Sequence, residues 1–310
     1  MLFRQLEYFV AVARERHFAR AAESCYVSQP ALSAAIAKLE RELNVTLINR
    51  GHNYQGLTPE GERLVVWAKR ILAEQEAFKA EVAAVQSGIT GTLRLGTEPT
   101  ASTTLVLPVA AFCAAHPLAK VQVRSRLSTT ELHRQLLAFE LDAAIAHFAP
   151  HDRENLQMMP LYEERYMLLA SSDQLLPHTD TMKWADAATM PLALLTPDMR
   201  IRQVIDDAFA ESGVVVTPQV ETDSVAALYA SVGAGACASI VPHTWLRAMP
   251  PLGRMRAVRL VEPDARAKVS VAIHAATPGS VAARAFMNAA AGLSLDEFFD
   301  QPLPAEHRVR

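Results

Sequence analysis

Across residues 20–50 the apolar positions follow a helical period. Leu32, Ile36, Leu39 and Leu43 recur at spacings of four, three and four, which is one face of a helix. Gln29, Ser33, Ala34, Ala35 and Lys38 fall on the opposite face. Ser28 is placed to cap this helix, and Pro30 sits in its first turn, where a missing N–H costs nothing. A shorter helix carrying the small residues Ala21, Ala22 and Cys25 precedes it, with Tyr26 and Val27 as the connection. Further upstream, Phe3, Leu6, Phe9 and Val10 form another apolar helical face. A helix with one buried stripe and one face of short polar groups is shaped to enter a major groove, where amides and hydroxyls reach base edges. An ordinary helical hairpin shares the same pattern.

Beyond this stretch a hairpin is expected around residues 51–56, with Gly at both sides of its tip. Its residues His52 and Asn53 are either nucleic-acid contacts or a solvated turn. Residues 58–88 then read as one long helix, capped by Thr58 and opened by Pro59. Leu57, Leu64, Ile71, Phe78 and Val85 recur every seven residues, and Ala68, Gln75 and Val82 form a second, interrupted seam. A sustained heptad predicts a helical partner. The alternative is packing of this helix on the chain's own body. The run Ser87-Gly88-Ile89-Thr90-Gly91 breaks the helix.

From there short apolar strands alternate with helices. Strands are expected at 92–96, 120–126 and 141–147, with helices at 102–116 and 130–139 between them, a β-α-β-α-β run that predicts a parallel sheet. A strand at 160–172 leads into a second α/β segment. It comprises a helical stretch from Trp184, a strand at 191–195, a helix at 200–212, a strand at 214–220, then a helix, a Gly-rich turn and a strand ending at Pro242. Strands at 256–260 and 268–274 and a helix at 279–291 close the fold, and the tail from Pro302 is expected to fray.

Composition sharpens the picture in three places. With 310 residues, half of them apolar, the chain has room for more than one domain. The net charge of −3 is uneven: residues 1–58 hold seven basic side chains against five acidic, a head at +2 on a body at −5. Such a small excess implies that two or more heads act together on DNA. Cys25, Cys113 and Cys237 show no metal-ligand spacing, no run of 18 apolar residues suggests a membrane span, and a reduced, cytoplasmic protein without cofactor or metal is expected. Nucleophile-elbow, metalloprotease and P-loop motifs are absent, which speaks against an enzyme.

Leu6, Phe9, Ala13, Phe18, Ala21, Ala22, Ser28, Gln29, Pro30, Ala31, Leu32, Ser33, Ile36, Leu39, Glu40, Leu43, Leu47, Arg50, Leu57, Thr58 and Gly61 keep one ungapped spacing. In this the chain resembles the LysR-type transcriptional regulators. The resemblance implies a winged helix–turn–helix DNA-binding domain at 1–58 and a linker and dimerisation helix at 59–88, paired through Leu64, Ile71, Phe78 and Val85. It further implies a two-lobed α/β effector-binding domain at 89–310, similar to periplasmic binding proteins, with lobe I at 90–162 and 268–300 and lobe II at 163–267. Implied partners are imperfectly palindromic double-stranded promoter DNA, a small-molecule effector, and further copies of the chain as a homodimer or homotetramer. Ser28, Gln29, Pro30, Ser33, Lys38, Arg50, His52 and Asn53 are the expected DNA contacts, with Gln29 on a base edge. Two departures bear on site sequence: Ala34-Ala35 replaces the longer polar residues common in the family's recognition helix, and His52-Asn53 replaces a second Arg in the wing.

Ligands of parallel α/β sheets bind beyond the carboxyl ends of the strands, where helix N-termini favour anions. Two hydroxyl-rich segments lie there, residues 97–104 and 128–130. Simple capping accounts for one hydroxyl in each. The resemblance places the effector at Thr100, Ser102, Ser128, Thr129 and His147, and at Thr196, Arg200 and Arg202 of lobe II. A small organic anion is the expected class. Glu98, however, would repel a carboxylate and could equally select a cationic or hydroxylated ligand. The peroxide-sensing branch of the family carries a cysteine pair in lobe II, whereas residues 195–215 contain no cysteine. The rival reading is a two-lobed binding protein or enzyme with a helical appendage.

Overall fold

A computed structural model of the chain describes residues 2–50, 54–175, 180–251, 253–275 and 279–301. It divides into two units: the first runs up to Thr90 and takes in the short segments 137–140 and 279–281, and the second holds the rest from Gly91 on. The first begins with α1 (Phe3–Glu15), α2 (Phe18–Ser24) and α3 (Gln29–Leu43). An antiparallel ribbon follows, β1 (Ile48–Arg50) with β2 (Tyr54–Leu57), and then α4 (Pro59–Ser87). Leu6, Phe9, Ala21, Ala22, Leu32, Ile36 and Leu39 meet in one core, as their periodicity predicts. Leu43 departs from the stripe and is 41% exposed. It occupies the last turn of α3, beside the left-handed Asn44 that ends the helix, so three of the four stripe positions enter the core.

The ribbon is stitched to its neighbours by polar groups. Glu40 accepts from the N–H groups of Leu47 and Ile48 at 2.9 and 3.3 Å. Thr58 donates its N–H to the Leu47 carbonyl at 3.0 Å and its hydroxyl to the Thr46 carbonyl at 2.6 Å. The same hydroxyl caps α4 by accepting from the Gly61 N–H at 2.9 Å. Gly61 lies so close to the ribbon that an added Cβ would fall 2.1 Å from the Leu47 carbonyl oxygen. Glycine is therefore required here by close approach of two backbones.

In the second unit β3 (Gly91–Thr97), α5 (Val106–Ala115), β4 (Ala119–Arg124), α6 (Thr129–Leu137) and β5 (Ala143–Ala146) come first. β3 pairs in parallel with both β4 and β5, the arrangement expected from the alternation of elements. Next come β6 (Leu156–Ser171), β7 (Thr181–Lys183), α7 (Trp184–Ala187), β8 (Ala193–Leu195), α8 (Arg200–Glu211) and β9 (Val220–Thr222). The chain continues through α9 (Val225–Gly233), β10 (Ser239–Pro242), α10 (Trp245–Ala248), β11 (Met255–Val261), β12 (Arg266–His274), α11 (Val281–Ala291) and α12 (Leu295–Asp300). One sheet runs β4-β3-β5-β12-β6-β11-β7 with β10 also on β6, and β8 and β9 form a separate parallel pair. β6 belongs to both halves of that sheet. It pairs with β12 from Leu156 to Arg165 and with β10 and β11 from Tyr166 to Ser171. Two cores result, one around Phe112, Ile145, Val269 and Phe286, the other around Tyr166, Trp184, Ile205, Phe209 and Trp245.

Two expectations are corrected, and two short elements were not anticipated. The helix predicted at 102–116 starts later, after a 3-10 turn at Ala101–Thr103. Ser102, Thr103 and Thr104 donate their hydroxyls to the carbonyls three residues back, and such local bonds compete with helix initiation. The strand predicted at 214–220 is displaced: residues 214–219 are not strand, Pro218 lacks an N–H for a ladder, and β9 begins only at Val220 and runs on to Thr222. β7 and α12, of three and six residues, are too short to leave a periodic signature. The hairpin tip and the tail from Pro302 lie outside the described residues.

Replacing Gly61 with Ala forces the ribbon away from α4 and should destabilise the first unit by about 1–3 kcal/mol, the usual cost of overpacking a close contact. Denaturant unfolding of the full chain, followed by a probe in residues 1–60, measures this; an unchanged midpoint would show that the ribbon shifts freely.

Candidate functional site

The exposed face of α3 is assembled as the capping signals predict. The Ser28 hydroxyl accepts from the Ala31 N–H at 3.4 Å, and Pro30 stands in the first turn. Gln29, Pro30, Ala31, Ala34 and Lys38 are exposed, and Ser33 is half-buried. Lys38 faces Glu42 at 3.9 Å, an exposed pair that leaves the ammonium accessible. The Arg50 backbone lies in β1, opposite Tyr54. Its side chain, with His52 and Asn53, falls outside the described residues. Tyr26, at the turn between α2 and α3, is left-handed and almost wholly exposed.

The heptad of α4 divides into two groups. Leu64 and Ile71 are half-buried against the core of the first unit, so these two expected pairing residues pack at least partly on their own body. Trp67, Phe78, Val82 and Val85 are exposed, Phe78 at 71%. Phe3, Trp67, Ile71, Gln75 and Phe78 border a groove of about 1000 Å³, with the Arg70 guanidinium stacked 5.6 Å from the Trp67 ring.

In the second unit the parallel strands bring several expected effector residues together. Thr100 and Ser102 follow β3, Thr129 opens α6, and His147 follows β5. At their centre is a buried chain of charged groups. His147 donates from Nδ1 to Glu98 Oε2 and from Nε2 to Glu164 Oε2, both at 2.8 Å. The Thr129 hydroxyl donates to Glu98, and the Thr244 hydroxyl donates to Glu164 at 3.2 Å. His147, Glu98 and Glu164 are all buried. Nearby, the Trp245 indole N–H donates to the Thr100 carbonyl at 3.0 Å, and the Thr104 and Tyr162 hydroxyls share a hydrogen bond. His147 thus spends both ring nitrogens on protein carboxylates and has none left for a ligand.

The electrostatics follow from that geometry. Burial alone would push the His147 pKa down. The charge and hydrogen bond of Glu164, with those of Glu98, outweigh it and raise the value to about 10. Burial pushes the Glu98 carboxyl up, but His147 and the Thr129 hydroxyl overcome it and leave Glu98 below the ordinary carboxylate range. The cluster therefore holds an imidazolium between carboxylates at neutral pH.

The other expected residues take no part in this chain of hydrogen bonds. Ser128 is exposed and caps α6 by accepting from the Glu131 N–H at 3.2 Å. Arg200 is exposed and donates to Gln203 at 3.1 Å along its own helix. Arg202 is a correction: its guanidinium is buried and donates to the Leu195 carbonyl at 2.7 Å, and to Asp206 and Glu221 at 2.8 Å each. It holds α8 to the β8–β9 pair and is spent there. The buried hydroxyls of Thr196 and Tyr166 have no hydrogen-bond partner among the described residues. Sequence reasoning missed Glu164, Tyr166, Thr244 and Trp245. The first two carried a usable signal, since Tyr162, Glu164 and Tyr166 alternate along β6 and so share its buried face.

Residues 3–62 match the family model for the bacterial regulatory helix-turn-helix protein, lysR family, and residues 86–293 match the LysR substrate binding domain. The DNA-binding transcriptional dual regulator OxyR of Escherichia coli is 31% identical over 252 residues, 81% of each chain. The SDS degradation transcriptional activation protein of a Pseudomonas species is 31% identical over 314 residues, 98% of this chain and 99% of the relative. Among solved structures, a full-length OxyR variant from Pseudomonas aeruginosa superposes with a TM-score of 0.78 at 25% identity, covering 98% of this chain and 99% of that one. CbnR in complex with its target DNA superposes with a TM-score of 0.65 at 25% identity, covering 94% and 99%.

Replacing His147 with Leu leaves two buried carboxylates facing each other and should cost roughly 3–5 kcal/mol at pH 7. The wild-type imidazole binds its proton more tightly folded than unfolded. Its stabilisation is complete below the unfolded value of about 6.5 and is lost as pH rises through about 10. Urea unfolding of the full chain between pH 6 and pH 10.5 should show this decline, and the Leu variant should lack it. A flat wild-type profile would mean that the folded ring is neutral.

Proposed function

Because the chain belongs to the LysR family of bacterial transcriptional regulators, and is not an enzyme, we propose that it is a ligand-responsive regulator that reads promoter DNA in pairs of heads. The exposed face of α3 carries this reading: a helix anchored by Leu32, Ile36 and Leu39 presents Gln29 and Lys38 outward, with Ser33 beside them. Gln29 has the reach and the paired donor and acceptor to read a base edge, while Ser28, Lys38 and Arg50 serve phosphates or the cap. His52 and Asn53 of the ribbon tip complete the contact along the backbone.

The small positive excess of residues 1–58 supports paired heads. The groove beside Trp67 and Phe78 fits the same helix of a second copy, with Val82 and Val85 extending the seam. A homodimer, or a homotetramer built from two dimers, would then span an imperfect palindrome. Effector binding among residues 97–104, Thr129 and Thr196 would shift the lobes at 90–162 with 268–300 and at 163–267, and so the spacing of the heads. Membership of a bacterial transcription-regulator family supports action in the cytoplasm; no helix among the described residues is long and apolar enough to cross a membrane.

Several relatives are named as hydrogen peroxide-inducible genes activators. In this chain Cys25 ends α2, Cys113 is exposed on α5, and Cys237 is buried with its thiol 3.7 Å from the Gln219 side-chain oxygen. Three thiols on separate elements favour a response to a bound ligand over a thiol pair.

The test is a titration against the DNA upstream of the chain's own gene at fixed salt. Gln29→Ala should weaken specific binding by about 1–3 kcal/mol while leaving nonspecific binding in place; unchanged site preference would remove Gln29 from the reading face. Phe78→Glu should convert the assembly to smaller species in sedimentation and weaken DNA binding by the loss of the second head. A variant of unaltered size would place the pairing surface elsewhere.

A further inference from the structure

The inter-lobe site also has a charge preference, an inference that rests on the ligand-responsive reading above. We propose that it admits a small molecule that offers hydrogen-bond donors and carries no negative charge, and that it rejects carboxylates, with Glu98 and Tyr166 as the residues that set this choice.

The first observation is where the hydroxyl protons go. Thr97 donates to the Ile145 carbonyl at 2.9 Å, Ser102 to Pro99, Thr103 to Thr100, and Thr129 to Glu98. The hydroxyl-rich loop thus spends these protons internally, which leaves the same oxygens able only to accept. The Trp245 N–H is spent on the Thr100 carbonyl in the same way.

The second observation is the balance of buried charge. Two carboxylates, Glu98 and Glu164, enclose one imidazolium, His147, and both of its nitrogens are engaged, so its positive charge is already shared between them. A guest carboxylate would be a third anion in a poorly solvated place, where repulsion is strong. The arginines do not offset it. Arg202 is held by Asp206, Glu221 and the Leu195 carbonyl, and Arg200 is exposed and tied to Gln203.

The third observation is a buried hydroxyl with an open hydrogen bond. The Tyr166 hydroxyl belongs to a residue that is 1% exposed, lies within electrostatic reach of Glu164, Glu98 and Arg200, and has no hydrogen-bond partner among the described residues. A buried hydroxyl left open two positions along the same strand face from the Glu164 carboxyl is matched by a guest that donates to a carboxylate and bonds to the phenol. Alcohol, amide N–H and ammonium groups share that capacity, and a carboxylate lacks it.

The experiment uses the full-length protein with three probes of similar size: acetate, acetamide and ethanolamine, each at equal ionic strength. Hydrogen exchange of residues 97–104 and 128–137 is the readout. Acetamide and ethanolamine should slow exchange in both segments, and acetate should not. Glu98→Gln should shift the ratio of acetate to ethanolamine affinity toward acetate by about tenfold, as expected for loss of a charged hydrogen-bond acceptor. Tyr166→Phe, which leaves every charge in place, should weaken acetamide and ethanolamine alike and provides the test if the Gln variant does not fold. Acetate protecting the wild type as well as ethanolamine does, or no probe protecting either segment, overturns the proposal. The upstream-DNA titration on the same sample separates the two readings: retained DNA binding with an acetate preference defeats the ligand class alone, and lost DNA binding defeats the regulator.

Discussion

The second unit depends on one imidazolium held between two carboxylates. Glu98 follows β3, His147 follows β5, Glu164 lies on β6, and Thr244 precedes α10, so four separate segments converge on one chain of hydrogen bonds. Buried ions are tolerable only when each is paired and its remaining hydrogen bonds are made. Here the requirement is met by groups from both halves of the sheet, and no member can move without exposing another to an unpaired state. The loops bearing Thr100 and Thr129 are fixed by the same requirement. The segments that carry the expected effector residues are therefore positioned by charge pairing as well as by apolar packing.

The first unit obeys a different economy. Its core is apolar and small, and polar groups act at its seams: Glu40 and Thr58 hold the ribbon, and Gly61 lets two backbones touch. This leaves α3 free to present short side chains outward. The surplus of exposed apolar surface is concentrated on α4, where Trp67, Phe78 and Val82 stand clear of that core. Exposed patches of this kind mark surfaces that meet another protein.

Legibility of these features followed their periodicity. The helices of the first unit, the parallel β3–β4–β5 run and the caps at Ser28 and Thr58 all rest on local patterns, and each is found where its spacing places it. The 3-10 turn before α5 and the short β9 depended on side-chain hydroxyls and on Pro218, which work against the apolar rhythm. The candidate site was half visible. Thr100, Thr129 and His147 could be located from strand ends, because β-α-β topology dictates where those ends lie. What they bond to could not. Glu164 reaches His147 from 17 residues away and Thr244 from 80 beyond Glu164, distances over which no local rule operates. Arg202 misled for the same reason: its position at a helix start was right for a ligand, yet Glu221, 19 residues on, had already claimed it.

β6 is a single strand of 16 residues, roughly 50 Å end to end, and its backbone is bonded on both halves to different neighbours. It acts mechanically as a beam shared by two bodies. Sliding one body along it would break a ladder of backbone bonds, whereas twisting the beam between Arg165 and Tyr166 strains only the few bonds that meet there, among them the His243 N–H to the Arg165 carbonyl at 2.8 Å. A message passing along β6 would therefore travel as torsion, in small angles, and a mechanism that reads such angles needs a long lever to make them felt.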